Sequence, residues 1–190
     1  VFSFGFFINQ SAKYGDTILA GNYILLQLIS FAAFFLDGYA FVVEALVGNS
    51  IGAKRRDIFD LAVRRSTSLA IMTAIPLALA IGLFGDVAII LLTDISAVRL
   101  VASELLLLPA IYVLFSFAAF QLDGIFIGAS FTRRMRDAAV ISIAVYLFAW
   151  WVFSDRFGIE GLWWAMIIYV IARAIALLMF YPALRRSVSE

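Results

Sequence analysis

The sequence predicts an all-α integral membrane protein: a polytopic helix bundle with one partial and five complete transmembrane helices. Hydrophobic residues make up 65% of the 190-residue chain and charged residues 14%, and the mean hydropathy is +1.05. Soluble domains average roughly 45–50% apolar and about 25% charged residues. The charged residues also cluster between charge-free runs that approach the roughly 20 residues needed to cross a bilayer. Both observations favour a membrane protein.

The composition also excludes several kinds of chemistry. The chain contains neither Cys nor His, so disulfides, catalytic thiols and the usual zinc and haem ligands are absent from it. No pairing of a nucleophile with a base is visible, and the net charge is only +1. We therefore expect neither an enzyme nor a metal-dependent protein, and no nucleic-acid partner.

The first half of the chain contains the partial span and two complete ones. Residues 1–12 are charge-free but too short to cross a bilayer, and we expect a partial helix there. The next helix is expected over about 17–53, long enough to tilt or to project from the membrane. A basic loop over 54–65 precedes the span 66–85, in which Pro76 is an expected kink.

The second half contains the three remaining spans. An apolar piece over 87–93 is too short to cross the membrane. A helix is expected over about 97–129, and two further spans over 138–154 and 160–184 are joined by a charged loop.

The Lys and Arg residues alternate between the two ends of these spans. Ten of the 14 basic residues lie in every second connection and at the C-terminus, whereas the other connections hold only Lys13, Arg99 and Arg156. The positive-inside rule places the ten in the cytoplasm. We expect a multi-pass protein of a bacterial inner membrane with a cytoplasmic C-terminus. The ten are Lys54, Arg55, Arg56, Arg64, Arg65, Arg133, Arg134, Arg136, Arg185 and Arg186.

Two carboxylates interrupt the helix expected over 17–53. Asp37 and Glu44 are seven residues apart and so lie on one helical face, and Ser30 extends the same polar line. A charged residue at the centre of a spanning helix costs about 2.5–3.5 kcal/mol on the insertion scale and must face protein or water. The line therefore predicts a functional polar cavity. The alternative is an interfacial group or a structural hydrogen-bonding group within the bundle.

A second line of the same kind occurs on the helix expected over 97–129. Ser116, Asp123 and Ser130 again stand at seven-residue intervals. Glu44 and Asp123 each precede the next basic loop by ten residues, which places both roughly 15 Å above that membrane edge.

Arg173 and Asp37 complete the set of charged groups inside the spans. Arg173 precedes the basic C-terminal pair by twelve residues, or roughly 18 Å, whereas Asp37 lies about 10 Å further out than Glu44. We expect Arg173 to be a structural charge partner for one of the deeper acids. Three acids against one arginine leave an excess of negative charge, which suits a proton, a sodium ion or an organic cation.

Three stretches resemble the multidrug and toxic compound extrusion (MATE) transporters, in particular the DinF-like subfamily. LDGYAFVVEALVGNSIGAK (36–54) is similar to the family's eighth helix and the following loop. LFGDVAIILLTDISAVRLVASELLLLPAIY (83–112) resembles the stretch between helices nine and ten, and LDGIFIGASFTRRMRDA (122–138) resembles helix ten and its loop. The helix of Arg173 resembles helix twelve, so the resemblance covers essentially the whole chain.

The resemblance implies the C-terminal lobe of a transporter with two six-helix lobes around a central cavity. Residues 1–12 would be the end of helix seven. The chain begins without Met and inside a helix, so we expect a fragment whose N-terminal lobe lies upstream. The implied function is export of cationic or amphipathic compounds, coupled to entry of H⁺ or Na⁺, with no other cofactor. The expected partners are membrane lipid, the missing lobe and a small cationic substrate.

The resemblance also points to a site residue. In some branches of the family an acid on helix ten contributes to a cation site, and Asp123 is the matching candidate. We therefore expect Asp123 to be the free acid, with Ser116 and Ser130 helping to hold a cation, Na⁺ included. Glu44 would then pair with Arg173, and Asp37, beyond Ser30, would serve the outward mouth.

Two other functions remain open. A lipid-linked sugar flippase of the wider superfamily would fit the architecture, but its cavity should be more basic than this acidic interior. A non-transporting membrane subunit that binds a partner lobe would also fit.

Overall fold

A computed structural model describes residues 2–188, and all regular structure in this part of the chain is helical. Four of the helices, α2, α3, α5 and α6, are long and apolar enough to cross a membrane. The predicted all-α, multi-pass membrane fold is confirmed. The elements are α1 (Phe2–Ser11), a 3₁₀ turn (Ala12–Tyr14), α2 (Asp16–Gly52), α3 (Arg56–Leu92), α4 (Ser96–Leu105), α5 (Leu107–Gly128) and α6 (Thr132–Ser187).

The last helix, α6, folds back on itself at Gly158. Gly158 has φ 54° and ψ −125°, a positive φ that glycine adopts without a steric penalty. On either side of it the chain packs antiparallel: the rings of Tyr146 and Tyr169 lie 5.6 Å apart, and Gly161 packs against the backbone of Phe153. The α6 helix therefore forms two arms, which correspond to the spans expected over 138–154 and 160–184.

Helix α3 is longer than expected. One helix of 37 residues, roughly 55 Å long, contains the whole span 66–85. It also contains most of the expected basic loop and most of the short apolar piece. Helical structure continues through Pro76. Charged residues do not end a helix as Gly or Pro can, so the basic stretch simply forms its first turns beyond the apolar region.

The helix expected over 97–129 is interrupted for one residue, Leu106, whose φ of −57° and ψ of −31° are still helical. Helix α4 ends at Leu105 and α5 begins at Leu107. A proline ring clashes with the carbonyl four residues before it, and the residue four before Pro109 is Leu105. Proline chemistry thus explains the position of the break.

Helix α5 is at the centre of the bundle and packs against α2, α3 and α6. Its closest approach is to α2, where a Cβ at Gly124 would collide with the carbonyl oxygen of Ala40 and one at Gly128 with that of Glu44. Small residues four apart let two membrane helices approach this closely. The two helices run in parallel with Ala40 level with Gly124 and Glu44 level with Gly128.

Helices α2 and α5 end in the same backbone motif. Lys54 and Ser130 have φ values of 52° and 56°, and in each case the following N–H bonds to the carbonyl five residues earlier, at 2.9 and 3.0 Å. This pattern is the Schellman C-cap. Ser130 is therefore part of a helix cap rather than of the helical face that carries Asp123.

Candidate functional site

A two-point ion pair between two membrane-spanning helices joins Asp123 on α5 to Arg173 on the second arm of α6. Arg173 Nη2 donates to Asp123 Oδ1 at 2.7 Å, and Arg173 Nε donates to Oδ2 at 3.1 Å. The side chain of Asp123 is 30% exposed and that of Arg173 is 16% exposed. This two-point geometry matches the planar guanidinium to both carboxylate oxygens, and it is the stronger form of such a pair.

The predicted pairing of Glu44 with Arg173, which would leave Asp123 free, is wrong. The depth argument assumed that α2 and α5 end at the same level of the membrane. In the structure Glu44 is level with Gly128, at the end of α5, and α2 continues for about two more turns. Glu44 therefore lies roughly 7 Å closer than Asp123 to the membrane edge at which α2 and α5 end. Arg173 consequently meets Asp123.

Asp37 lies within roughly 3 Å of the level of Asp123 along the helices rather than about 10 Å further out. It lies three residues before Ala40, which is level with Gly124. Asp37 is half-buried, and its carboxylate is close enough to that of Asp123 for their charges to interact. Arg173 neutralises one of these two acids, so Asp37, Asp123 and Arg173 together carry one excess negative charge when all are ionised.

Glu44 itself has no such contact. Its side chain is half-buried and makes no hydrogen bond or ion pair with any other residue between 2 and 188. Its place in a binding site stays a prediction.

The three serines do not gather around Asp123. The Ser30 and Ser116 hydroxyls each donate at 2.8 Å to a carbonyl of their own helix, those of Leu26 and Val113. Ser116 is buried, whereas Ser130 is exposed in its cap. Both oxygens of Asp123 already accept from Arg173, so a sodium ion bound there would compete with the guanidinium.

The sequence reasoning missed a group of uncharged polar residues on the opposite side of α5. Gln121 Oε1 accepts from Ser66 Oγ at 3.1 Å, and the same hydroxyl lies 3.2 Å from the carbonyl oxygen of Tyr39. Tyr39 OH in turn lies 2.9 Å from Thr73 Oγ1. The available signal was a glutamine two residues from Asp123 within an apolar run.

Comparison with known proteins agrees with the fold. The sequence profile of the MatE family matches residues 2–152, which comprise α1 to α5 and the first arm of α6. The chain is 29% identical over 178 residues to "DNA damage-inducible protein F" of Escherichia coli (strain K12), an alignment that covers 92% of this chain and 38% of that protein. The chain thus spans less than half the length of this relative. Because the family profile matches most of its residues, the chain belongs to the MatE family.

Proposed function

We propose that this chain is the C-terminal lobe of a cation-coupled exporter, which expels cationic or amphipathic compounds as H⁺ or Na⁺ enters. Membership of the MatE family supports the proposal. So does the observation that the Escherichia coli relative is more than twice as long, because a second lobe would account for the difference.

The observation that carries the proposal is the excess charge of Asp37, Asp123 and Arg173. The Arg173 guanidinium binds Asp123, whereas Asp37, whose charge interacts with that of Asp123, has no ion-pair partner among residues 2–188. One bound proton or monovalent cation would bring the group to neutrality, and burial penalises its charged form. Since Asp123 is engaged by Arg173, Asp37 is the acid that we expect to exchange the coupling ion.

The position of Asp37 also fits a cavity between two lobes. Its helix exposes a row of large apolar side chains, among them Phe31, Phe34 and Phe41. Such a surface can face lipid or a second lobe, and alternating access requires one lobe to move against another. A site at this surface would be open to each side of the membrane in turn.

The test is export of a cationic dye by the natural-length protein in liposomes under an imposed pH or sodium gradient. Asp37→Asn should reduce gradient-driven export at least about tenfold, the effect of about 1.4 kcal/mol, while insertion and folding stay intact. Glu160→Gln is the matched control because Glu160 is exposed in the α6 turn. Coupled export that survives in Asp37→Asn would contradict the assignment. Dependence on one gradient alone identifies the ion.

The other two functions give different results in the same liposomes. A flippase would translocate a lipid-linked sugar and not a dye. A non-transporting subunit would move neither.

A further inference from the structure

A cleft of about 370 Å³ lies between α3, α5 and the end of α6, on the side of α5 that faces away from Asp123. Its walls are mostly apolar and include Val63, Ile71 and Leu178, with polar atoms only from Thr67, Gln121 and Tyr181. A water molecule occupies about 30 Å³ in the liquid and needs two to four polar partners. The cleft is therefore large enough for a ligand and poorly suited to water.

Gln121 lines this cleft, and its amide nitrogen is a buried hydrogen-bond donor with no acceptor in the part of the chain that the structure describes. The residue is 2% exposed, and its Nε2 has no partner within residues 2–188. If the amide were turned over, one N–H would reach Ser66 Oγ and the second would still lack an acceptor. In either orientation a buried donor is left over, and buried polar groups normally have a partner.

The mouth of the cleft carries charge. Along α3, Arg56, Asp60 and Thr67 lie on one helical face. Arg185 from the end of α6 pairs with Asp60 at 2.6 and 2.7 Å, and Arg56 interacts electrostatically with the same acid. Two guanidiniums against one carboxylate leave this end positive. Basic pockets between membrane helices bind anionic lipid headgroups.

We propose that this cleft binds an anionic glycerophospholipid from the leaflet next to the start of α3. One acyl chain lies along the apolar walls between Ile71 and Leu178. An ester carbonyl oxygen, which accepts but does not donate, takes the free N–H of Gln121. The phosphate lies at Arg56 and Arg185. From the floor of the cleft to its mouth, the protein offers apolar walls, a hydrogen-bond donor and two guanidiniums. The lipid has an apolar tail, an uncharged acceptor and an anion in the same order.

The first experiment needs no variant and does not depend on transport. The natural-length protein is equilibrated in detergent with equal amounts of ester-linked and ether-linked phosphatidylglycerol, and retained lipid is counted by native mass spectrometry. The ether lipid lacks the carbonyl, so retention should favour the ester lipid about fivefold, as expected for one hydrogen bond. Equal retention would overturn the proposal.

Two variants then test the residues. Gln121→Leu, which keeps the size of the side chain, should abolish the ester preference, whereas Gln27→Leu on the exposed face of α2 should keep it. Arg56→Gln should lower the preference for phosphatidylglycerol over phosphatidylcholine, and Arg136→Gln at the exposed start of α6 should not. An ester preference that persists in Gln121→Leu would also overturn the proposal.

Discussion

Arg173 forms an ion pair with Asp123 between two membrane-spanning helices, and the contribution of this pair to stability can be measured. Removing one partner of a buried ion pair typically costs about 3–5 kcal/mol, whereas replacing both by apolar residues is often nearly neutral. Because Asp123 is 30% exposed, we expect Arg173→Met to cost about 3 kcal/mol. The double variant with Asp123→Leu should recover most of that loss. Thermal unfolding in detergent provides the measurement.

The control for this cycle is Arg185→Met. Its pair with Asp60 is more exposed, at 43% and 37% of the two side chains, and exposed pairs contribute about 0–1 kcal/mol. Equal losses for Arg173→Met and Arg185→Met would mean that the Asp123 pair is not the stronger of the two.

At this scale the sequence was informative about residue type but not about partners. It identified the ionisable groups within the spans, because a charge in an apolar run stands out at any register. It did not identify which side chains contact each other, because the depth of each residue in the membrane was measured from the basic loops. Depth measured in this way is misleading because α2 projects past the end of α5. The length of that projection is set by the close contact of Gly124 with Ala40 rather than by charge.

At the scale of the element, the packing of α2 against α5 depends on the contact between Gly124 and Ala40. Gly124→Ala would drive a Cβ into the carbonyl oxygen of Ala40, which is backbone and moves only with its helix. Overpacking of this kind costs about 1–3 kcal/mol. We expect Gly124→Ala to lower the midpoint of thermal unfolding.

Gly38→Ala on α2 is the matched substitution. A Cβ at Gly38 meets no atom within 4 Å, and alanine favours a helix over glycine by about 0.8–1.0 kcal/mol. This variant should unfold at the same or a higher temperature. A lower midpoint for Gly38→Ala than for Gly124→Ala would show that space at the α2–α5 contact does not limit stability.

Helix ends show why some boundaries were predictable and others were not. The sequence places Ile-Gly-Ala before both basic connections, and both become the same Schellman cap. The break at Leu106 follows from Pro109, which the sequence contained but the hydropathy pattern did not register. The start of α3 was missed because hydropathy locates the apolar part of a helix and not its charged first turns.

At the scale of the whole molecule, the two membrane faces follow from the parallel course of α2 and α5. These helices end on one side, where α3 and α6 begin, and the loop after α3 and the turn at Gly158 lie on the other. The basic residues follow the same division, so the positive-inside rule predicts that the ends of α2 and α5 lie in the cytoplasm. The fold thus determines which helix ends share a membrane face, and the charge distribution predicts which face is cytoplasmic.

This orientation predicts the labelling of single cysteines, introduced into the natural-length protein after any other cysteines have been replaced. Cysteines in place of Asp94 and Arg156, both exposed, should react with a membrane-impermeant maleimide in intact cells. Those in place of Asp57 and Ser130, also exposed, should react only after permeabilisation. The reverse result would invert the orientation and leave the fold unchanged. A mixed result within either pair would contradict the fold itself, because α3 and the first arm of α6 would then not both cross the membrane.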